Sequence, residues 1–235
     1  MSGGVIAIDG PSASGKSSTA RAVADALGFA HLDSGSLYRG VTLVALREGA
    51  RRGLREPGPT RLSPETILRA AEDRGLMLQP DGPGFAAYLE GEPAEEALRS
   101  AEVTAHVSAI AAMPVVREWV NARLRALVRA GQDVVVDGRD IGTVVFPDAD
   151  LKIFLTASAE ARAGRRISQR GMVVQPDHLD AETQALAARD HADSTRAVAP
   201  LRPAEDAVHL DTTSLGFNEQ VSFIVDRARP IFKGR

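Results

Sequence analysis

A chain of 235 residues, 44% of them hydrophobic, can form one domain with insertions or two small domains around a sizeable core. Its net charge of −3 argues against a general nucleic-acid binder, and the absence of cysteine excludes disulfides and thiolate metal sites. The five histidines (His31, His106, His178, His191 and His209) show no i, i+3 or i+4 pairing, and no apolar run approaches the ~20 residues of a membrane span. The expectation is a soluble, cytoplasmic, monomeric protein with no nucleic-acid or membrane partner.

In chain order, residues 5–8 form a short apolar, β-branched run that reads as a buried strand. Gly10-Pro11-Ser12-Ala13-Ser14-Gly15-Lys16-Ser17-Ser18 comes next and matches the pattern G-x-x-x-x-G-K-S/T. After it lies a helix in which Ala22, Val23, Ala26 and Leu27 share one face and Gly28 stands at the C-cap position. Residues 29–32 read as a second strand, and Ser34 or Ser36 is placed to cap a helix running to about residue 48. An arginine-, glycine- and proline-rich loop covers about 49–64. A short helix over 64–71 and a hairpin of 76–79 with 85–89 around Asp81-Gly82-Pro83-Gly84 suggest a small inserted subdomain at 60–98.

Helices are expected over 101–112 and from Pro114 to about 130, where Gly131 closes the second. Val134-Val135-Val136 does not alternate, as in a strand buried on both faces. Residues 151–155 form another strand, 157–170 an arginine-rich helix, 181–190 a further helix, 207–210 a last strand and 218–229 a final helix. Strands at 5–8, 29–32, 134–136, 151–155 and 207–210 alternating with helices predict an α/β fold: a parallel five-stranded sheet with helices on both faces and ligands at the carboxyl ends of its strands.

The loop at 10–18 lies between a strand and a helix, as its chemistry requires. Glycines let the backbone aim N–H groups at an anion, and the helix N-terminus adds positive potential there. Lys16 can reach the outer phosphates of a nucleoside triphosphate and Ser17 can ligate Mg²⁺. Asp137-Gly138-Arg139-Asp140 comes directly after a buried strand. It reads either as a common D-G turn or as an acidic group near the magnesium shell, with an anion-binding arginine beside it. Arg162, Arg165, Arg166 and Arg170 form a solvated face or, given the loop at 10–18, an anion-binding one. Arg189, Asp193 and Arg196 step by four and three, which a continuing helix would place on one face.

Taken together, five stretches resemble bacterial cytidylate kinases across essentially the whole chain. They are residues 10–18, Asp33-Ser34-Gly35-Ser36-Leu37-Tyr38-Arg39, Leu89-Glu90-Gly91-Glu92, the run from Asp137 to Asp148 and Arg196-Ala197-Val198-Ala199-Pro200-Leu201. The resemblance implies ATP- and Mg²⁺-dependent phosphoryl transfer to CMP or dCMP. It implies a phosphate-loop kinase core (1–59, 99–156 and 181–235), a monophosphate-binding insert (60–98) and a lid (157–180). By motif position Asp33, Ser34, Arg39, Arg139, Arg189 and Arg196 would bind the monophosphate and its surroundings, and Asp193 the ribose. Ser108, Arg117 and Asp140 would face cytosine. Lys16 and the lid arginines Arg162, Arg165 and Arg166 would act on the transferring phosphoryl group, with Ser17 and Asp137 at the metal. The alternatives are a kinase for another small acceptor, such as UMP, AMP or a non-nucleotide, and a nucleotide-dependent switch; no N-K-x-D-type guanine-reading motif is present.

Overall fold

The computed structural model describes residues 3–53, 61–128 and 131–233. The chain falls into two compact units, Met1–His31 with Ala130–Arg235, and Leu32–Arg129. The division along the chain lies inside one strand.

The first unit carries strands β1 (Val5–Asp9), β2 (Ala30–Asp33, where the division falls), β6 (Val134–Gly138), β7 (Leu151–Thr156) and β8 (Val208–Asp211). They line up in the order β2-β6-β1-β7-β8. β1 pairs in parallel with β6 (Val5 with Val134, Asp9 with Gly138) and with β7 (Ile6 with Leu151, Asp9 with Phe154), and β7 pairs in parallel with β8. Because consecutive strands β1 and β2 are separated in space by β6, the chain crosses over on either side of β1. The carboxyl end of β1 is therefore a topological switch point, where such sheets bind ligands.

Helices α1 (Lys16–Leu27) and α9 (Phe217–Phe232) cover the sheet; α7 (Ala159–Gln169) and α8 (Pro176–Thr195) pack on each other. Ile6, Ile8, Val135, Ile153 and Leu155 meet Ala20, Val23, Ile224 and Val225 in one apolar cluster. Each fully buried isoleucine, leucine or valine here contributes roughly 1.5–3 kcal/mol. All five residues of β6 are buried, as its unalternating valines require.

The second unit holds α2 (Ser34–Arg51), α3 (Pro64–Asp73), the antiparallel hairpin β3 (Met77–Asp81) and β4 (Gly84–Leu89), a two-residue β5 (Glu92–Pro93), α4 (Glu95–Leu98), α5 (Ala101–Ala111) and α6 (Pro114–Val128). The sheet count therefore differs from the five strands expected. Eight strands are present among the described residues: the five expected in the parallel sheet, the two of the expected hairpin (β3 and β4), and β5.

Three local expectations need correction. Asp33, not Ser34 or Ser36, caps α2: its side chain accepts from Gly35 N at 2.8 Å, and both serines lie buried within the first helical turns. The helix expected over 181–190 runs from Pro176 to Thr195. Only Leu186 and Asp193 are buried along it, so it lacks the apolar periodicity that would have revealed its length. Arg196 is the residue after that helix, extended at ψ 142, so it does not continue the helical face of Arg189 and Asp193. Part of the loop expected at 49–64 (54–60) and the end of the helix expected near 130 lie outside the described residues. No helix among the described residues is long and apolar enough to cross a membrane.

Candidate active site

The loop leaves β1 at Asp9 and enters α1 at Lys16. Gly15 adopts φ 90, a left-handed conformation that costs glycine little. A Cβ on Gly10 would stand 2.1 Å from the carbonyl oxygen of Leu155, so the close approach of β7 requires glycine there. Ala13 also adopts positive φ, at 59, a strain of roughly 1–3 kcal/mol of the kind held at ligand-binding turns. The N-terminus of α1 has no side-chain cap and no acidic residue in its first turn. Its first N–H groups are thus capped by no side chain of its own. Lys16 is buried and curls back so that Nζ donates to Pro11 O at 3.1 Å. Ser14 Oγ is buried with no hydrogen-bond partner among the described residues, a cost that an incoming ligand oxygen would relieve.

Asp137, near the end of β6, is 1% exposed. Ser17 Oγ donates to its Oδ2 at 2.5 Å, and His31 Nε2 lies 2.8 Å from its Oδ1. Burial pushes this carboxyl up, but the hydrogen bond and charge of His31, with Lys16 and Ser17, hold it below the ordinary aspartate value. Ser17 and Asp137 thus offer two hard oxygen donors side by side. Among the described residues no group of three or more His, Cys, Asp or Glu could hold a metal. That donor set suits Mg²⁺, which takes one or two protein oxygens and fills the rest of its shell with water and phosphate.

Behind this pair, Asp9 accepts from the backbone N–H groups of Ile141 and Gly142, both at 2.8 Å. They open a π-helical turn, Ile141–Val145, directly after Asp140. The carboxylate of Asp9 therefore ties the start of the phosphate loop to the turn after Asp137-Gly138-Arg139-Asp140.

Two ion pairs bring the C-terminal part of α8 and the residue beyond it to that same segment. Arg139 Nε donates to Asp193 Oδ2 at 3.0 Å, and Arg196 Nη2 lies 3.4 Å from Asp140 Oδ1. Arg139, Asp140, Asp193 and Arg196 are thus assembled as the sequence suggests, although by crossed pairs rather than along one helix face. Arg189 is half-buried one turn earlier on α8.

The arginines of α7 divide. Arg162 Nη1 donates to Ser12 O at 3.0 Å and to Asp190 Oδ2 at 2.5 Å, while Asp190 Oδ1 accepts from Ser12 N at 3.1 Å. Arg165 donates to Ser14 O and to Thr212 Oγ1 and O. Arg166 and Arg170 both pair with Glu182 on α8. Two arginines therefore grip the carbonyl side of the loop, and two staple α7 to α8.

The second unit contains the remaining predicted residues. Asp33 caps α2, and Ser34 is buried in its first turn. Arg39 Nη1 donates to Leu98 O at 3.2 Å and Thr104 Oγ1 at 3.0 Å. Arg117 is 2% exposed, donates to Ala111 O at 3.0 Å and lies 5.4 Å above the ring of Tyr38. Ser108 is half-buried on α5. A cleft of about 590 Å³ elsewhere in this unit, bordered by Glu48, Arg51, Arg69 and Arg74, contains none of these residues. Arg51, Arg52 and Arg74 gather around Glu48 there, and the side-chain hydrogen bonds of Arg51 and Arg52 lower its carboxyl to about 2.

A family model described as cytidylate kinase matches residues 6–230. The chain belongs to the cytidylate kinase family. A cytidylate kinase of Rhodococcus jostii is 45% identical over 92% of this chain and 91% of its own length. One of Anoxybacillus flavithermus is 41% identical over 98% and 96%, and one of Ralstonia pickettii 44% identical over 97% and 92%.

Sequence reasoning about this cytidylate kinase family member passed over Asp9, His31 and Asp190. Asp9 had one visible signal, a carboxylate ending an apolar strand just before Gly10. His31 and Asp190 had none, because their partners lie 106 and 178 residues away along the chain.

Asp9 yields a pH prediction. Burial is the main cause that raises its carboxyl from 3.8 to about 6, although the two backbone donors oppose the shift. Between those values the folded state binds more protons than the unfolded one, so this group's stabilisation is full below pH 3.8 and is lost as pH rises through about 6. The difference amounts to about 3 kcal/mol. Asp9→Asn cannot titrate, so the stability of the wild type relative to the variant should fall by that order between pH 4 and 7, read from urea midpoints. Lowered acids such as Glu48 and Asp137 slope the other way but are common to both proteins. Parallel stability curves would rule out the titration of Asp9.

Proposed function

We propose that this chain transfers the γ-phosphoryl group of ATP to CMP or dCMP, yielding CDP or dCDP. The observation that carries the reading is the phosphate loop with its Ser17–Asp137 oxygen pair at the switch point of a parallel sheet. It stands in a chain matched to the cytidylate kinase family over residues 6–230. Phosphoryl transfer needs positioning and charge neutralisation more than a reactive side chain, and this arrangement supplies both.

In this reading residues 10–18 cradle the ATP phosphates, and Lys16 offsets charge on the outer ones. Ser17 and Asp137 would hold Mg²⁺, which neutralises charge on the phosphate oxygens when bound. Arg162, Arg165 and Arg166, in the lid at 157–180, act on the transferring phosphoryl group; Arg162 and Arg165 are tied to the loop carbonyls of Ser12 and Ser14, and Arg166 to Glu182. In the first unit Arg139, Arg189 and Arg196 bind the acceptor's phosphate, Asp193 the ribose hydroxyls and Asp140 the base. In the second unit Asp33, Ser34 and Arg39 serve the phosphate, Ser108 and Arg117 the base, and residues 60–98 form the monophosphate-binding insert.

The test is coupled ATP turnover with CMP, dCMP, UMP and AMP in parallel. CMP and dCMP should exceed UMP and AMP by ~10²-fold or more in kcat/KM, the margin of a site built to hydrogen-bond its substrate. Comparable turnover of all four, or ATP hydrolysis without transfer, would refute the assignment.

A further inference from the structure

His31 is a buried imidazole to which the proposed reaction assigns no step. It sits in β2, beside β6, and is 6% exposed. Its Nε2 lies 2.8 Å from Asp137 Oδ1, while the other oxygen of Asp137 accepts from Ser17 Oγ at 2.5 Å. A carboxylate only accepts, so the proton between ring and carboxylate belongs to Nε2. With a donor on each oxygen, the carboxylate of Asp137, itself 1% exposed, cannot rotate without losing a hydrogen bond.

We infer that His31 is a positioning residue for the divalent cation of the bound nucleotide: it fixes Oδ1 of Asp137 so that Oδ2 stays turned to Ser17 Oγ. Groups that orient a metal's carboxylate ligand commonly account for 10–100-fold in metal affinity. The inference rests on the phosphoryl-transfer reading for the presence of Mg²⁺, but not on the identity of the acceptor.

The alternative is that His31 only satisfies a buried acid. A test without turnover separates them. Calorimetry gives the dissociation constant of a non-hydrolysable ATP analogue without and with saturating Mg²⁺. The ratio of the two reports how much more tightly the ion is held on the enzyme than on the free analogue. In His31→Phe, which keeps a ring but removes the donor, this ratio should fall by ~10-fold or more, or to one where the wild-type ratio is smaller. Affinity measured without Mg²⁺ should stay within about threefold, because the loop and Lys16 are intact. His31→Gln, which restores an N–H donor, should recover most of the ratio, and His31→Asn, too short to reach Asp137, should not. The Asn and Gln variants carry the comparison by themselves if His31→Phe does not fold. A wild-type ratio in folded His31→Phe or His31→Asn would overturn the inference, as would an equal loss in His31→Gln and His31→Asn. Failure of the wild type to phosphorylate CMP would count against the proposed function alone and leave this measurement standing.

Discussion

Lys16→Ala should lower kcat for CMP phosphorylation by ~10²–10³ or more, the range expected when one preorganised charge-stabilising group is lost. Lys16 is the first residue of α1 and is 7% exposed, with Nζ held 3.1 Å from Pro11 O. That ammonium lies within the curl of the loop itself, so a phosphate received by residues 10–15 would meet a cation already in place and largely desolvated. Charge developing on the transferring group is offset there more strongly than in water. In the fold the side chain donates one hydrogen bond to a loop carbonyl, worth about 0.5–1.5 kcal/mol net, and its charge also favours the buried carboxylates of Asp9 and Asp137, so the stability of the variant is measured beside its turnover. Steady-state kinetics together with the urea midpoint of the variant decide the matter. Turnover within a few-fold of wild type in a folded Lys16→Ala protein would remove Lys16 from the mechanism.

A comparable effect, but on selectivity, is expected from Asp140→Ala. Cytosine presents an exocyclic amino donor beside a ring-nitrogen acceptor, whereas uracil presents a carbonyl beside a ring N–H. A carboxylate accepts from the first and opposes the second. Each polar group left unpaired in a buried site costs roughly 1–3 kcal/mol, so two mismatches discriminate by ~10²–10⁴ in kcat/KM. Asp140 is 4% exposed and only 3.4 Å from Arg196 Nη2, so a competing role exists: bracing Arg196, to which the proposed function gives the acceptor's phosphate. The substrates distinguish the two. Base reading predicts a large loss of kcat/KM with CMP, a small one with UMP and a collapsed ratio in Asp140→Ala. Bracing predicts equal losses, because both monophosphates carry the same phosphate. A preserved CMP-to-UMP ratio would therefore make Asp140 a scaffold for Arg196.

What the sequence determined by itself is the part governed by local physics. Nine consecutive residues spell the phosphate loop, since glycine sterics, helix initiation and the position of Lys16 are settled within one turn of chain. The valines of β6 declare a strand buried on both faces, and the alternation of strands and helices declares a parallel sheet. Even Asp137-Gly138-Arg139-Asp140 could be assigned to the strand ends that bind ligands, because adjacency to the end of a strand is a local property of the chain. The hairpin of β3 and β4 was equally legible from Asp81-Gly82-Pro83-Gly84 between two apolar runs.

Only the tertiary structure decided which side chains meet. His31 reaches Asp137 because β2 lies beside β6, and Asp9 reaches Ile141 and Gly142 because β1 ends level with Gly138. Neither pairing leaves a trace in spacing or periodicity. The extent of α8 was likewise hidden. It is polar nearly all round and held by packing on α7 and by Glu182 to Arg166 and Arg170, contacts between two helices that periodicity within one helix does not report. The same holds for Arg162 and Arg165. A run of arginines on one helix carries no information about its acceptors, and here these are the backbone carbonyls of Ser12 and Ser14, 150 residues away for one and 151 for the other. Motif chemistry is local and can be read along the chain, whereas the orientation of each charged group is set by sheet order and register, which exist only once the chain has folded.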